Sequence, residues 1–528
     1  MQSQSEILES EANTVERLPV YVFLLSLLFA IYYTLNILPF HLDDAYITHR
    51  YAQNLVAGFG FVFNPQGEVV EGFSSPLWLL FLAGSGKIFG SQYILVTSVL
   101  TGLTAYFLTV WRIAVFALNN NDNRWALSSG VLAVLLPSYI FYASTGMEQM
   151  LYILLIVLCT EAFYRPTKTE LRPQFYLALL FSAAAWLRPE TPFIMVIGAI
   201  QCWLIEKNIL LAIKRFSPMA CYFTLGYLSL LIIRWVLFND VLPNTYYAKE
   251  PIISSGISYI YYALIEQYFF SALLFLASLG AFFGTAFHRQ MLISGLLWLI
   301  PPVIEGGDWM LSLRFLMPSM TFFLLASSGI SAIAVKKSGA VVIFCIGVFS
   351  VISHFENIYL GKIASDSIYT TNFEQAYRIN FVKRIDAESV GLVDIGLMGY
   401  LTDVKIFDIA GLTDSVIARS AGSLLSKEFD LDYLFKRQPD IVFLRAFEIL
   451  NNGNSVKFNM AEVERRIMVS ERFHTEYELL LVTAPSYETK FFQAVLIFNH
   501  KDFPIDQIIM DSLSVEEVGN LPMLYFKQ

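Results

Sequence analysis

The sequence predicts a polytopic α-helical membrane protein ending in a soluble α/β domain, and three observations predict it. Of 528 residues, 56% are hydrophobic and 15% charged, whereas a soluble domain carries roughly 25% charged residues. The mean hydropathy is +0.56. Charge is also divided unevenly: residues 1–355 hold 18 Lys+Arg and 19 Asp+Glu, and residues 356–528 hold 17 and 25. The charged share therefore rises from about 10% to about 24%, the latter typical of water-soluble domains. Apolar runs of membrane-crossing length recur in the first part, so the chain is expected to divide into a transmembrane module, 1–355, and a soluble domain, 356–528.

In chain order, the first 17 residues are polar and acidic with a single Arg17. This is not the basic start of a signal peptide, so 18–40 is read as an uncleaved first span. An outer loop, 41–75, follows, and 76–90 is read as a shallow or re-entrant piece. Further spans near 91–111, 126–143, 148–164, 174–187, 191–206, 216–238, 266–286, 290–304, 314–335 and 339–355 give about eleven transmembrane helices. Arg112 and Arg124; Arg165, Lys168 and Arg172; Lys207, Lys214 and Arg215; His288 and Arg289; and Lys336 and Lys337 fall in alternate short loops. The positive-inside rule assigns those loops to the cytoplasm, which turns the other loops and the tail outward. In the tail, apolar runs at 390–393, 405–409, 441–444, 479–482 and 494–498 alternate with helix-like stretches such as 373–387, the pattern of a small α/β domain.

The net charge of -9 divides into -1 for the first part and -8 for the tail. An acidic tail without a Lys/Arg stripe has no footprint for nucleic acid, and membrane lipids are the surroundings the composition implies. Cys159, Cys202, Cys221 and Cys345 all lie in apolar stretches. They form neither a zinc spacing nor a disulfide framework. AGSGK at 83–87 lacks the flanking Gly and Ser/Thr of a phosphate-binding loop. No dinucleotide fingerprint or metal cluster is visible, so no cofactor is expected, although a divalent cation held by Asp43, Asp44 or Asp308 has room in the reading.

The chemistry concentrates in the expected outer loops. The first begins with adjacent carboxylates, Asp43 and Asp44. A helix to about residue 56 puts Asp43, Ile47 and Arg50 on one face. Tyr46, Ile47, Tyr51, Leu55 and Val56 would hold that helix in the interface plane, with Gly58 and Gly60 ending it and 64–67 forming a turn. A carboxylate at the lip of a membrane cavity is tuned by desolvation into a general base. The plainer alternative is that the pair merely starts a helix. Glu148, then Arg188 and Glu190, then Tyr246, Tyr247 and Lys249, then Glu305, Asp308 and Arg314 form a sparse polar set on the same side. Charges so near a bilayer commonly mark a functional cavity; their plainer roles are snorkelling for the arginines and an interfacial aromatic belt for the tyrosines.

An ordered series of blocks carries a resemblance. The run from Asp43 to Trp78, then TGMEQ, LRPET, PNTYYAK, GGDWMLSLRF with Pro318, and DIAGLTDSVIAR resembles the GT-C glycosyltransferases of the kind that includes the terminal arabinofuranosyltransferase of mycobacterial cell walls. The resemblance implies a bacterial cytoplasmic-membrane transferase acting on the outer face. Its donor would be a polyprenyl-phosphate-linked sugar, such as a pentofuranose, and its acceptor a glycan, lipid or protein. It also implies that Asp43 and Asp44 form the catalytic acidic pair, with the first member favoured. Arg188, Lys249 and Arg314 would neutralise the donor phosphate, while Arg50, Glu148, Glu190, Tyr246, Tyr247 and Asp308 would bind substrate or orient those cations. The loop departs from the family in GFSSP, which bears on the sugar recognised, and the retaining or inverting outcome stays open. The rival is a transporter or flippase of lipid-linked sugars, which would show ionisable groups deep in spans or paired broken helices.

Overall fold

The structure, a computed structural model, describes residues 2–38, 42–164, 171–333, 339–367, 373–446, 448–451, 456–485, 494–505, 516–518 and 521–526. His41, Arg165, Lys168, Lys336 and Lys337 lie outside the described residues. The helical module opens with α1 (Gln2–Ile37), the surface helix α2 (Asp43–Ala57), α3 (Pro76–Phe89) and α4 (Ile94–Asn119). It continues through α5 (Ser128–Leu135), α6 (Pro137–Ser144), α7 (Gln149–Tyr164), α8 (Leu171–Leu187), α9 (Pro192–Glu206) and α10 (Ile209–Phe238). The short α11 (Asn244–Ala248) leads to α12 (Ile253–Ile265), α13 (Tyr268–Phe283), α14 (Ala286–Leu297), α15 (Ile300–Ile304), α16 (Met317–Ser327) and α17 (Ala340–Ser367).

The protein is a multi-pass membrane protein. Five helices are long and apolar enough to cross a membrane, and seven spans result if each of two bent helix pairs counts as one. Four shorter apolar helices, among them α3 and α7, fall below that length. With 14 residues, α3 is about 21 Å long, short of the roughly 30 Å hydrocarbon layer.

The expected single span 126–143 is bent by 50° between α5 and α6, where Pro137 at the start of α6 has no N–H to continue the helix. The expected span 266–286 corresponds to α13, but α12 precedes it at 79°. Sequence periodicity assigns no helix to 253–265, because an apolar helix followed closely by another reads as one run. Likewise the expected 290–304 is divided into α14 and α15, and α17 runs through the expected 355/356 division to Ser367.

At the end of the module away from the acidic pair, Arg112 meets Glu161 in α7, and Arg215 meets Glu206 of α9. These two cations are thus closed off by carboxylates.

The tail is an α/β domain on a seven-stranded mixed sheet in the order β2-β1-β3-β7-β6-β9-β8. β1 (Ser389–Leu392), next to the edge strand, runs parallel to β2 (Lys405–Asp408) and β3 (Ile441–Ala446). β3 pairs antiparallel with β7 (Ala494–His500), which pairs antiparallel with β6 (Tyr477–Pro485). β9 (Leu521–Phe526) joins β6 in parallel and β8 (Glu516–Val518) antiparallel. β4 (Glu448–Asn451) and β5 (Val456–Asn459) form a separate hairpin. The buried faces of β1 and β3 explain their continuous apolar reading in the sequence.

The domain sits on the loops that the sequence pattern expects to face outward. Asn64 of the first loop exchanges two 2.8 Å hydrogen bonds with the backbone of Ile406 in β2. The carboxylate of Glu71, also in that loop, receives three hydrogen bonds from Arg234 of α10 at 2.9–3.0 Å. This buried ion pair fixes the loop to the helical module.

Candidate active site

The first loop folds locally as its sequence dictates. Gly58, with φ +86°, ends α2 in the left-handed conformation that only glycine adopts freely. Gly67 N–H closes the 64–67 turn on Asn64. The Tyr51 hydroxyl donates to Val70 O at 2.7 Å, and Asn54 donates to Val62 and Phe63 carbonyls at 2.8 Å. The expected face of Asp43, Ile47 and Arg50 exists, but it looks at the C-terminal domain. Tyr46, Ile47 and Tyr51 are correspondingly buried against protein, not lipid, with 7%, 5% and 0% exposure. The expectation that they hold α2 in the lipid interface is therefore corrected: a folded domain covers the face that an isolated amphipathic helix would offer to headgroups.

The two adjacent carboxylates point to different partners, as side chains about 100° apart around a helix must. Asp43 accepts the backbone N–H groups of Gly396 (2.8 Å) and Leu397 (2.9 Å), which open the short tail helix Gly396–Leu401. Burial and the like charge of Asp394 push its carboxyl up to about 7, while those two donors favour the ionised form. Asp44 accepts no hydrogen bond and makes no ion pair among the described residues. Burial raises it, and the cations that oppose the rise are Lys249 first and Arg314 second.

Around Asp44 the other outer loops converge. Arg314 is held by both oxygens of Asp308, at 2.7 and 3.0 Å, and lies over the Phe315 ring. The turn before it carries Ser312 and Leu313 at φ +60° and +55°, and Gly306 and Gly307 at +82° and +78°. Left-handed Leu313, a non-glycine residue, is the kind of strain that persists only where surrounding structure enforces it. Arg188, at the turn between α8 and α9, is clamped between Glu148 (2.6 Å) and Glu190 (2.7 Å). Burial disfavours the Glu148 charge, but Arg188 outweighs it and holds the carboxyl below its usual range.

Lys249, just beyond α11, makes no ion pair among the described residues and keeps an accessible side chain. Crowding by protein atoms lowers its pKa, opposed by Asp44. Glu305, which the sequence marks only as one charge of its loop, joins the cluster. Burial and the like charge of Glu190 push it up to about 8.

The structure therefore brings together Asp44, Lys249, Arg188, Arg314, Glu148, Glu190 and Asp308, with Asp43 at the edge. Arg50 stands apart: its Nε donates to Phe63 O at 3.3 Å, and its guanidinium is 4.0 Å from Asp403 of the tail. Tyr246 is 53% exposed. The Tyr247 hydroxyl donates to Asp240 at 3.0 Å beneath the Arg419 guanidinium. Tyr247 thus serves the loop's seat on the tail, while Tyr246 packs edge-on against the Tyr247 ring.

Of the three carboxylates the sequence offers a divalent cation, Asp43 already accepts backbone N–H groups, Asp308 holds Arg314, and Asp44 keeps free oxygens. Among the described residues no group of three or more His, Cys, Asp or Glu is arranged for a metal.

Gly396 and Lys427, which tie the tail to these loops, carry no mark in the sequence, whereas Asn244 lies in the PNTYYAK block. The one available signal is the Asp-Ile-Gly that follows an apolar strand.

A family model described only as a domain of unknown function, DUF8728, matches residues 367–498, most of the tail. Comparison with curated protein sequences yields no match. Among solved structures, the chain is similar to ArnT from Cupriavidus metallidurans bound to undecaprenyl phosphate, with 11% identity, TM-score 0.49, and 92% of this chain and 99% of that one covered. It is similar to the apo state of the same ArnT at 12% identity and TM-score 0.46, covering 80% and 92%. A third is the arabinofuranosyltransferase AftD from Mycobacteria, at 12% identity and TM-score 0.45, covering 92% of this chain and 40% of that one.

Proposed function

We propose that the protein is a membrane glycosyltransferase that moves a sugar from a polyprenyl-phosphate donor to a hydroxyl of a glycan, lipid or protein. It works at the outer face of a bacterial cytoplasmic membrane, where the C-terminal domain also lies. The single observation that carries the reading is the combination at one end of the helical module of an unpaired carboxylate, Asp44, and an unpaired ammonium, Lys249, beside two guanidiniums fixed by carboxylates. An unspent acid–base group beside unspent and preorganised positive charge suits a reaction in which an alcohol loses a proton while a phosphate leaves.

In this mechanism Asp44 takes the proton of the acceptor hydroxyl as its oxygen bonds to the anomeric carbon. The bond from that carbon to the phosphate oxygen breaks, and its electron pair leaves with the polyprenyl phosphate. Lys249 meets the developing negative charge, with Arg314 and Arg188 held ready by Asp308, Glu148 and Glu190. A raised carboxyl is a stronger base than an ordinary one, which fits proton removal near neutral pH. Asp43, already accepting two backbone N–H groups, serves position. The resemblance of the sequence blocks makes a pentofuranose such as arabinofuranose the first sugar to test.

The two bent helix pairs are a feature a flippase would use. The ionisable cluster nevertheless sits at helix ends rather than at those bends, which supports the transferase.

The test supplies membranes with radiolabelled polyprenyl-phosphate arabinofuranose, then other lipid-linked sugars, and compares wild type with Asp44→Asn. Label in a new glycosidic bond, formed only by wild type, upholds the reading. Label that merely crosses the bilayer replaces it with the flippase.

A further inference from the structure

We infer that the C-terminal domain is a two-point clamp that sets the distance between Asp44 and Lys249, with Asp43 and Lys427 as its positioning residues. This inference rests on the transferase reading above.

The first point of the clamp is Asp43. Its oxygens hold the N–H groups of Gly396 and Leu397, and a side chain at 396 is excluded because a Cβ there would lie 1.9 Å from the Asp43 carbonyl oxygen. Tyr46 and His49, farther along α2, pack on Tyr400 of the same tail helix, with ring centroids 5.2 and 5.7 Å apart. Asp44 is the next residue in the chain, so its backbone is fixed by the tail and not by the membrane helices alone.

The second point is Lys427, a tail lysine that is 1% exposed. Its ammonium donates to the carbonyls of Ala418 (2.7 Å), Tyr247 (3.0 Å) and Ser420 (3.1 Å). An ammonium has three N–H donors, and all three are used. Tyr247 lies two residues before Lys249. Asn244, earlier in that segment, donates to the Gly411 and Leu412 carbonyls at 2.9 Å, in the DIAGLTDSVIAR block.

Asp44 and Lys249, both without a side-chain partner among the described residues, thus belong to the segments the tail grips. The paired Arg188 and Arg314 belong to turns held by their own carboxylates.

The experiment uses the full chain in lipid vesicles, with Gly396→Ala, Lys427→Met and the milder Asp43→Asn. It reads kcat, donor KM, and amide hydrogen exchange at residues 43–50 and 244–249, in proteins whose insertion and melting match wild type. A clamp predicts that Gly396→Ala and Lys427→Met lower kcat at least tenfold with donor KM changed less than threefold. Exchange should rise at least tenfold at 43–50 in the first and at 244–249 in the second, with Asp43→Asn showing the same pattern as Gly396→Ala more weakly. Wild-type kcat and wild-type exchange in all three overturn the inference. So does a loss carried by donor KM with unchanged exchange, because that is the signature of direct substrate contact. If wild type transfers no sugar, the transferase reading fails by itself, and the exchange measurements still decide whether the tail fixes the two segments.

Discussion

The two ends of the helical module handle charge in opposite ways. At the end away from the acidic pair Arg112 and Arg215 are each closed off by a glutamate, Glu161 and Glu206. At the end of the acidic pair Arg188 and Arg314 are held by three carboxylates, while Asp44, Lys249 and Glu305 make no ion pair among the described residues. Buried or crowded charge without a partner costs several kcal/mol, and a cluster of it marks a candidate functional site. The difference separates charge that is paired within the structure from charge that the proposed transferase reading assigns to a substrate.

That contrast breaks most sharply at Asp44. Asp44→Asn should lower transfer about a thousandfold, within the range of a lost general base, without loss of membrane insertion; retained activity in the radiolabel assay would move the role elsewhere. Lys249→Met should follow at about a hundredfold, the scale of one lost electrostatic donor, with Lys249→Arg recovering part of it. Single-turnover rates at saturating donor would check this.

The pH profile sharpens the same comparison. Asp44 must be ionised to act, and burial raises its pKa. Activity should therefore be lost as pH falls through a value above the ordinary carboxylate pKa of about 4. Lys249 must be charged, and crowding lowers it, so activity should also be lost as pH rises through a value below about 10.4. A profile limited by ordinary values on both sides would remove the special environment from the argument.

Glu148→Gln leaves Arg188 with Glu190 alone, and a buried cation short of one partner should cost about 3 kcal/mol in thermal or denaturant unfolding. At the end away from the acidic pair Glu206→Gln should cost under about 1 kcal/mol and leave transfer unchanged. A large loss of transfer from that distant change would contradict the division between the two ends.

Much of this was legible before any coordinates. Composition separated a membrane module from an α/β tail, because lipid and water select residues so differently that averages suffice. The turn signals around Gly58 and 64–67 are local chemistry, and they hold. The acidic pair, Glu148, Arg188, Glu190, Lys249, Asp308 and Arg314 could be gathered as outer-loop charges, since ionisable groups beside an apolar span have few reasons to be there.

The tertiary structure decided what those residues touch. That Asp43 grips a tail helix while Asp44 stays free, that Arg50 and Tyr247 turn to the tail, and that Lys427 spends all its donors on three carbonyls depend on segments hundreds of residues apart meeting in space. Helix bends at Pro137 and between α12 and α13 also escaped the hydropathy pattern, which records apolarity but not direction. The sequence alone determined the solvent each segment prefers, through side-chain transfer free energy. Only the fold decided which charges are neutralised and which are left for a substrate, because electrostatic pairing falls off with distances that a linear chain does not contain.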